Sequence, residues 1–158
     1  MATETEYQVF KALYDEESTR YAELESRAKL YLTIITFYLG AIAFKLEDIT
    51  KFLNEFNVPK WPYVFSGLLL IIALLLTILG TRIMTFEGQF DPEEVYKTSR
   101  EKPLKDFLDD RLVDLAVATN RNSVTNNSIA TFLEWASYFL FAAVAIQMLI
   151  FAFALVRA

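Results

Sequence analysis

The chain has 158 residues, a net charge of −5 from 15 basic and 20 acidic side chains, 54% hydrophobic residues, and neither histidine nor cysteine. Its mean hydropathy of +0.30 does not suit a soluble domain, and residues 61–81 and 135–156 are uncharged stretches, each able to cross a hydrocarbon core of ~30 Å as a helix. An integral membrane protein is therefore expected. Without His and Cys there are no disulfides, no thiolate, none of the usual transition-metal ligands and no imidazole base, so neither an enzyme nor a cofactor is expected.

The first residues carry Glu4 and Glu6 and no basic group before Lys11, unlike a cleaved signal peptide. Beyond them the chain repeats at seven. Tyr7, Tyr14, Tyr21 and Ala28 share one position, with Phe10, Glu17, Leu24 and Tyr31 three residues further on. Such a stripe suits packing on another helix, and its acidic neighbours Asp15, Glu16, Glu17, Glu23 and Glu25 disfavour an anionic lipid surface. Tyr7, Phe10, Tyr14, Tyr21 and Leu24 are accordingly expected at an oligomer interface.

Nothing breaks the helical pattern before the next apolar stretch, so the spacing predicts one helix from about Glu6 to Leu46. Residues 30–46 are read as the first crossing, with residues 1–29 as a cytoplasmic amphipathic extension. The uncharged part, residues 30–44, is short, and Lys29 and Lys45 at its ends can extend to the headgroups. A buried or re-entrant helix is the alternative. Residues 47–60 are expected as an external loop. Pro59 and Pro62 open the second span, residues 61–82, and Gly88 marks a turn after it.

Residues 83–134 are expected to form a cytoplasmic helical segment. Asp91 and Pro92, followed by Glu93 and Glu94, have the chemistry of a helix start. Pro103 begins a second run, through Leu104, Phe107, Leu108, Leu112 and Leu115 to an Asn-rich stretch, residues 120–128. With no Gly or Pro from residue 104 onward, this helix can run on into the third span, residues 135–156. The whole reads as all-α: about three transmembrane helices with a cytoplasmic helical bundle too thin to be stable alone, hence homo-oligomeric.

Orientation follows from the basic residues, which favour the cytoplasmic side. Residues before 30 hold four and residues 82–134 hold seven, against Lys45, Lys51, Lys60 and Arg157 on the other side. The N-terminus and residues 83–134 are thus expected inside. Trp61, Tyr63, Trp135 and Tyr138 provide interfacial aromatics.

Two sets of residues stand out. Within the spans are Thr33 and Thr36, Tyr38, Ser66, Thr77, Ser137 and Gln147. Gln147 lies near mid-bilayer, where its amide needs a partner or water; it either rings a pore in a homo-oligomer or makes an interhelical hydrogen bond. In the polar segment, Lys97, Arg100, Lys102, Lys105, Arg111 and Arg121 alternate with Tyr96 and Phe107 and with acidic residues. They could hold phosphates with aromatics stacked on bases, or simply pair with their acidic neighbours and anchor the topology. Carboxylates such as Asp106, Asp109 and Asp110 read as ordinary surface charge.

The order of parts, an amphipathic helix entering through ESRAKLYLTIITFYLGAIAF, a span at WPYVFSGLLLIIALLL, and a charged, Asn-ended segment before WASYFLFAAVAIQMLIFAFAL, resembles small membrane effectors of bacterial antiphage systems. It is similar to the SLATT-type proteins and to the transmembrane effectors of cyclic-nucleotide (CBASS, Pycsar) and Hailong-type operons, with a third crossing where SLATT proteins have two. The resemblance implies a homo-oligomeric channel in the bacterial inner membrane, gated through cytoplasmic helices by a signal from a partner nucleotidyltransferase. The expectation is a tetrameric ion channel with Gln147 or the Thr33 and Thr36 face lining the path and the basic segment sensing a nucleotide or oligonucleotide. A non-conducting anchor or scaffold for a soluble partner is the alternative, and a holin-type pore a weaker one.

Overall fold

The computed structural model describes residues 3–82, 86–88 and 92–157, with side chains at all of these except 92–96. Every regular element among the described residues is helical: α1 (Glu4–Phe44), α2 (Leu46–Glu55), α3 (Trp61–Arg82), α4 (Pro92–Glu101) and α5 (Leu104–Arg157). Three of them, α1, α3 and α5, are long and apolar enough to cross a membrane. The chain divides into unit 1, residues 1–25 and 83–129, and unit 2, residues 26–82 and 130–158. Asp91 and the side chain of Tyr96 lie outside the described residues.

Helix α1 begins on a capping box that the sequence reading passed over. The Thr3 hydroxyl accepts from the Glu6 N–H at 3.2 Å, and the Glu6 carboxylate accepts from the Thr3 N–H at 2.7 Å, which pairs two otherwise orphaned groups of the first turn. The Thr3 N–H and the Thr3 hydroxyl, both donating to the Glu6 carboxylate, hold its carboxyl below the ordinary range. The helix then runs 41 residues to Lys45, whose φ of −100° and ψ of 11° leave the helical region.

Residues 47–60 are not a simple loop, contrary to the sequence reading. Residues 46–55 form α2, because Ile49, Phe52, Leu53 and Phe56 recur at helical spacing and pack with Val58 on Ile150 and Ala154 of α5. Helix α2 ends in a Schellman turn. Asn57 takes a φ of 51°, its N–H donates to the Asn54 carbonyl, and the Val58 N–H donates to the Leu53 carbonyl at 2.8 Å. Pro59 follows and cannot extend the helix.

In unit 1, Tyr14 of α1 packs with Leu115 and Ala118 of α5, flanked by Tyr7, Phe10 and Phe86. The stripe predicted at an oligomer interface is therefore occupied within one chain: Tyr14 and Leu24 are buried, and Tyr7, Phe10 and Tyr21 half-buried. The reason is a matching repeat on α5. Apart from Ala118, its buried positions fall at Leu115, Asn122, Ile129, Ala136, Ala143 and Ile150, and at Asn126, Leu133, Leu140, Gln147 and Ala154, two heptad positions sustained over most of the helix.

In unit 2, α1, α3 and α5 form a three-helix bundle around Ile35, Leu69, Leu70, Ala73, Leu140 and Ala143. Small residues recur at its seams, including Ser66, Ala73, Gly80, Ala136 and Ala143, which lets backbones approach closely where lipid supplies no hydrophobic drive. Outside, Phe37, Val64, Leu68, Leu75, Phe141 and Leu149 are exposed. An apolar surface of this extent, on helices long and apolar enough to cross a membrane, suits contact with lipid.

Candidate functional site

The polar centre of unit 2 is built from one residue of each long helix. The Gln147 amide oxygen accepts from the Tyr38 hydroxyl at 2.5 Å, and its amide nitrogen donates to the Ser66 hydroxyl at 3.0 Å. Ser66 in turn donates to the Tyr63 carbonyl at 2.7 Å. Gln147 is 4% exposed, so of its two readings the interhelical hydrogen bond is the one realised within the chain. The bond is available because Gln147 falls on the heptad seam of α5, which points it at α1 and α3. Thr33 and Thr36 lie elsewhere, on the exposed side of α1, where Thr33 donates back to the Lys29 carbonyl at 2.9 Å. Gln147 and the Thr33 and Thr36 face, the two candidates for lining a path, are thus on different faces of the chain.

Unit 1 has its own polar centre, organised by the Asn-rich stretch. Asn122 reads the backbone of Glu87 with both ends of its amide, accepting from the Glu87 N–H at 2.9 Å and donating to the Glu87 carbonyl at 3.2 Å. The Tyr14 hydroxyl donates to the same carbonyl at 2.8 Å, and Arg121 donates to the Glu87 carboxylate at 2.8 Å. Burial, with Asp15 and Glu87 nearby, pushes the Tyr14 phenol above its ordinary value of 10.0. One turn on, Asn126 donates to the Glu17 carbonyl at 2.9 Å and to its carboxylate at 2.7 Å, and Arg20 donates to Asn127 at 2.7 Å. Glu17 to Asn126 in unit 1 and Tyr38 to Gln147 in unit 2 have the same sequence separation, 109 residues. Within each unit α1 and α5 therefore pair in parallel at one register.

Beside Asn122 a hollow of about 440 Å³ is lined by Phe86, Glu87, Asn120, Arg121, Asn122, Val124 and Thr125. Of the six basic residues predicted to hold a ligand, only Arg121 borders it. Lys102 pairs with Asp110, which raises its ammonium above the ordinary value by hydrogen bonding and charge. Arg111 sits 3.5 Å from Asp114, with its guanidinium 5.7 Å from the Phe107 ring. Lys97, Arg100 and Lys105 are exposed. Neighbouring carboxylates therefore take several of these cations, as the alternating charges allowed. No group of His, Cys, Asp and Glu among the described residues is placed to hold a metal ion.

The sequence offers the run from Asn120 to Asn127 as donors and acceptors for bases or for a wet vestibule without singling out Asn122 and Asn126, and it gives no sign of Glu87 and Phe86. The seven-residue repeat of α5, with Asn122 and Asn126 four apart on it, was the available signal for the two amides. Comparison with protein-family models, curated proteins and solved structures finds no match.

Proposed function

We propose that this chain is the subunit of a homo-oligomeric ion channel of the bacterial inner membrane, a tetrameric effector of antiviral defence with the N-terminus and residues 83–134 cytoplasmic. The observation that carries the reading is the membrane half of α1. It is the least apolar of the three candidate spans and also the least covered, with 11% of its most apolar window buried against 33% for α3 and 28% for α5. A helix that gains little from lipid is better placed against copies of itself. Thr33, Thr36 and Gly40 are exposed on it, so copies of α1 gathered about an axis would line a path with hydroxyls. This moves the path from Gln147 to the Thr33 and Thr36 face. A nucleotide or oligonucleotide, the product of a partner nucleotidyltransferase, would act on unit 1 at the hollow of Phe86, Asn120, Arg121 and Thr125, which offers a ring, an amide, a guanidinium and a hydroxyl. Lys97, Arg100, Lys102, Lys105 and Arg111 would contribute longer-range attraction.

The test is ion flux from vesicles containing the full chain, alone and with a mixture of cyclic di- and trinucleotides. Flux that falls about tenfold in Thr36→Leu, an effect of about 1.4 kcal/mol on the barrier, supports the reading. Absence of flux in every condition overturns it. The alternative, a non-conducting anchor for a soluble protein, draws on Val9, Leu13, Val113, Val117 and Val124, exposed apolar residues of unit 1. It predicts no flux, and partner capture lost on replacing those residues with serine.

A further inference from the structure

We propose that the end of unit 2 formed by the α2–α3 connection and the last turns of α5 holds one acyl chain of an anionic phospholipid, with the lipid phosphate between Lys60 and Arg157. A hollow of about 640 Å³ opens there, lined among others by Val58, Pro59, Pro62, Ile150, Phe153 and Val156. Its size lies within the roughly 300–1,000 Å³ of small-molecule sites. Every lining side chain is hydrocarbon, so a polar ligand would lose its hydration there without replacement. A saturated chain loses nothing.

The local structure explains why the hollow stays open. The Schellman turn at Asn57 brings Val58 into the cluster of Leu53, Ile150 and Ala154. The proline that follows has a fixed φ and no N–H, so it can line an apolar surface without leaving a donor unpaired. On α5 the short Ala152 also borders the hollow and leaves room that a larger residue would take.

Charge selects the lipid class. Lys60 follows Pro59 directly and is exposed. Arg157 follows Val156, and its guanidinium stands 4.3 Å from the ring centroid of Phe153, itself a lining residue. Of the three acidic residues of α2, Glu47 pairs with Lys51 and Asp48 with Lys45, which leaves the exposed Glu55 as the one acidic side chain there that competes for Lys60. An apolar slot with a cation directly after each of two lining residues, Pro59 and Val156, complements an amphiphile with an anionic head, and each basic residue near an anionic membrane surface adds about fivefold in binding.

Trp61 lies between the two lining prolines, and Trp135 is the other tryptophan of the chain. In a Trp135→Phe background, quenching of Trp61 by phospholipids brominated on their acyl chains reports occupancy. The full chain is placed in phosphatidylcholine vesicles containing equal mole fractions of brominated phosphatidylglycerol or brominated phosphatidylcholine. Stronger quenching by the phosphatidylglycerol is expected, with the preference reduced about fivefold by Lys60→Gln or by Arg157→Gln and abolished by Ala152→Phe. Equal quenching by both lipids overturns the proposal, as does a preference that survives the Lys60→Gln/Arg157→Gln double variant. If neither lipid quenches and Ala152→Phe instead changes the oligomeric state, the hollow seats a second copy and the proposal also fails.

Discussion

Units 1 and 2 use the same helix pairing with different seam chemistry. In unit 1 the α5 seam carries Leu115, Asn122, Asn126 and Ile129; in unit 2 it carries Ala136, Ala143 and Ala154 among larger residues, with Gln147 as its one amide. With unit 1 outside the membrane, as proposed, water explains the first pattern. Hydrophobic burial drives the helices together, and amides can be spent on holding the segment at Glu87 and fixing register. Lipid explains the second, since close packing and a few interhelical hydrogen bonds must replace the hydrophobic drive. The same period therefore does two jobs, latching a segment in one unit and permitting close contact in the other.

The largest expected effect breaks the close contact of unit 2. Ala143 is fully buried in the bundle, and Ala143→Phe should cost about 3 kcal/mol or more by overpacking, read as early unfolding in a detergent melt; Ala145→Phe, at an exposed position, should leave the melt near wild type. Next comes the latch of unit 1. Asn122→Leu leaves the Glu87 N–H without its side-chain acceptor and should cost about 2 kcal/mol, whereas Asn120→Leu, on the exposed side, should not. Faster hydrogen exchange at Glu87 in the first variant alone would locate the loss.

A smaller effect tests whether the membrane amide holds the helices. A double-mutant cycle of Gln147→Leu and Tyr38→Phe should give a coupling of about 1 kcal/mol, within the range for interhelical hydrogen bonds in membranes. A coupling of zero would reduce Gln147 to a passive core residue. The smallest effect depends on pH. Because the Tyr14 phenol is raised above 10.0 in the folded chain, its contribution is complete below that value and is lost as pH rises through the higher folded value. Tyr14→Phe should therefore be less stable than wild type at neutral pH, and the difference should close in strong alkali. A difference constant with pH would mean that the hydroxyl is not buried against Glu87.

Much of the helical organisation was legible. Period seven marked the α1 stripe, uncharged length marked two of the spans, and the absence of Gly and Pro after residue 104 allowed α5 to run 54 residues. What covers the stripe was not legible from α1, since a heptad face states that a helix is wanted and not whether it belongs to the same chain. Helix α2 lies within the stretch read as an external loop, and its ten residues are too short a pattern to stand on periodicity alone.

By itself the sequence determined the helices and the apolar spans, because both follow from local periodicity and composition. Tertiary structure alone decided which polar residues are inside. Asn120, Asn122, Asn126 and Asn127 share the same chemistry, and only the phase of α5 against α1 buries the middle two. In the third span nearly every side chain is apolar, so hydrophobicity cannot choose a buried face. Size and helical phase choose it, and they turn Gln147 toward Tyr38 and Ser66.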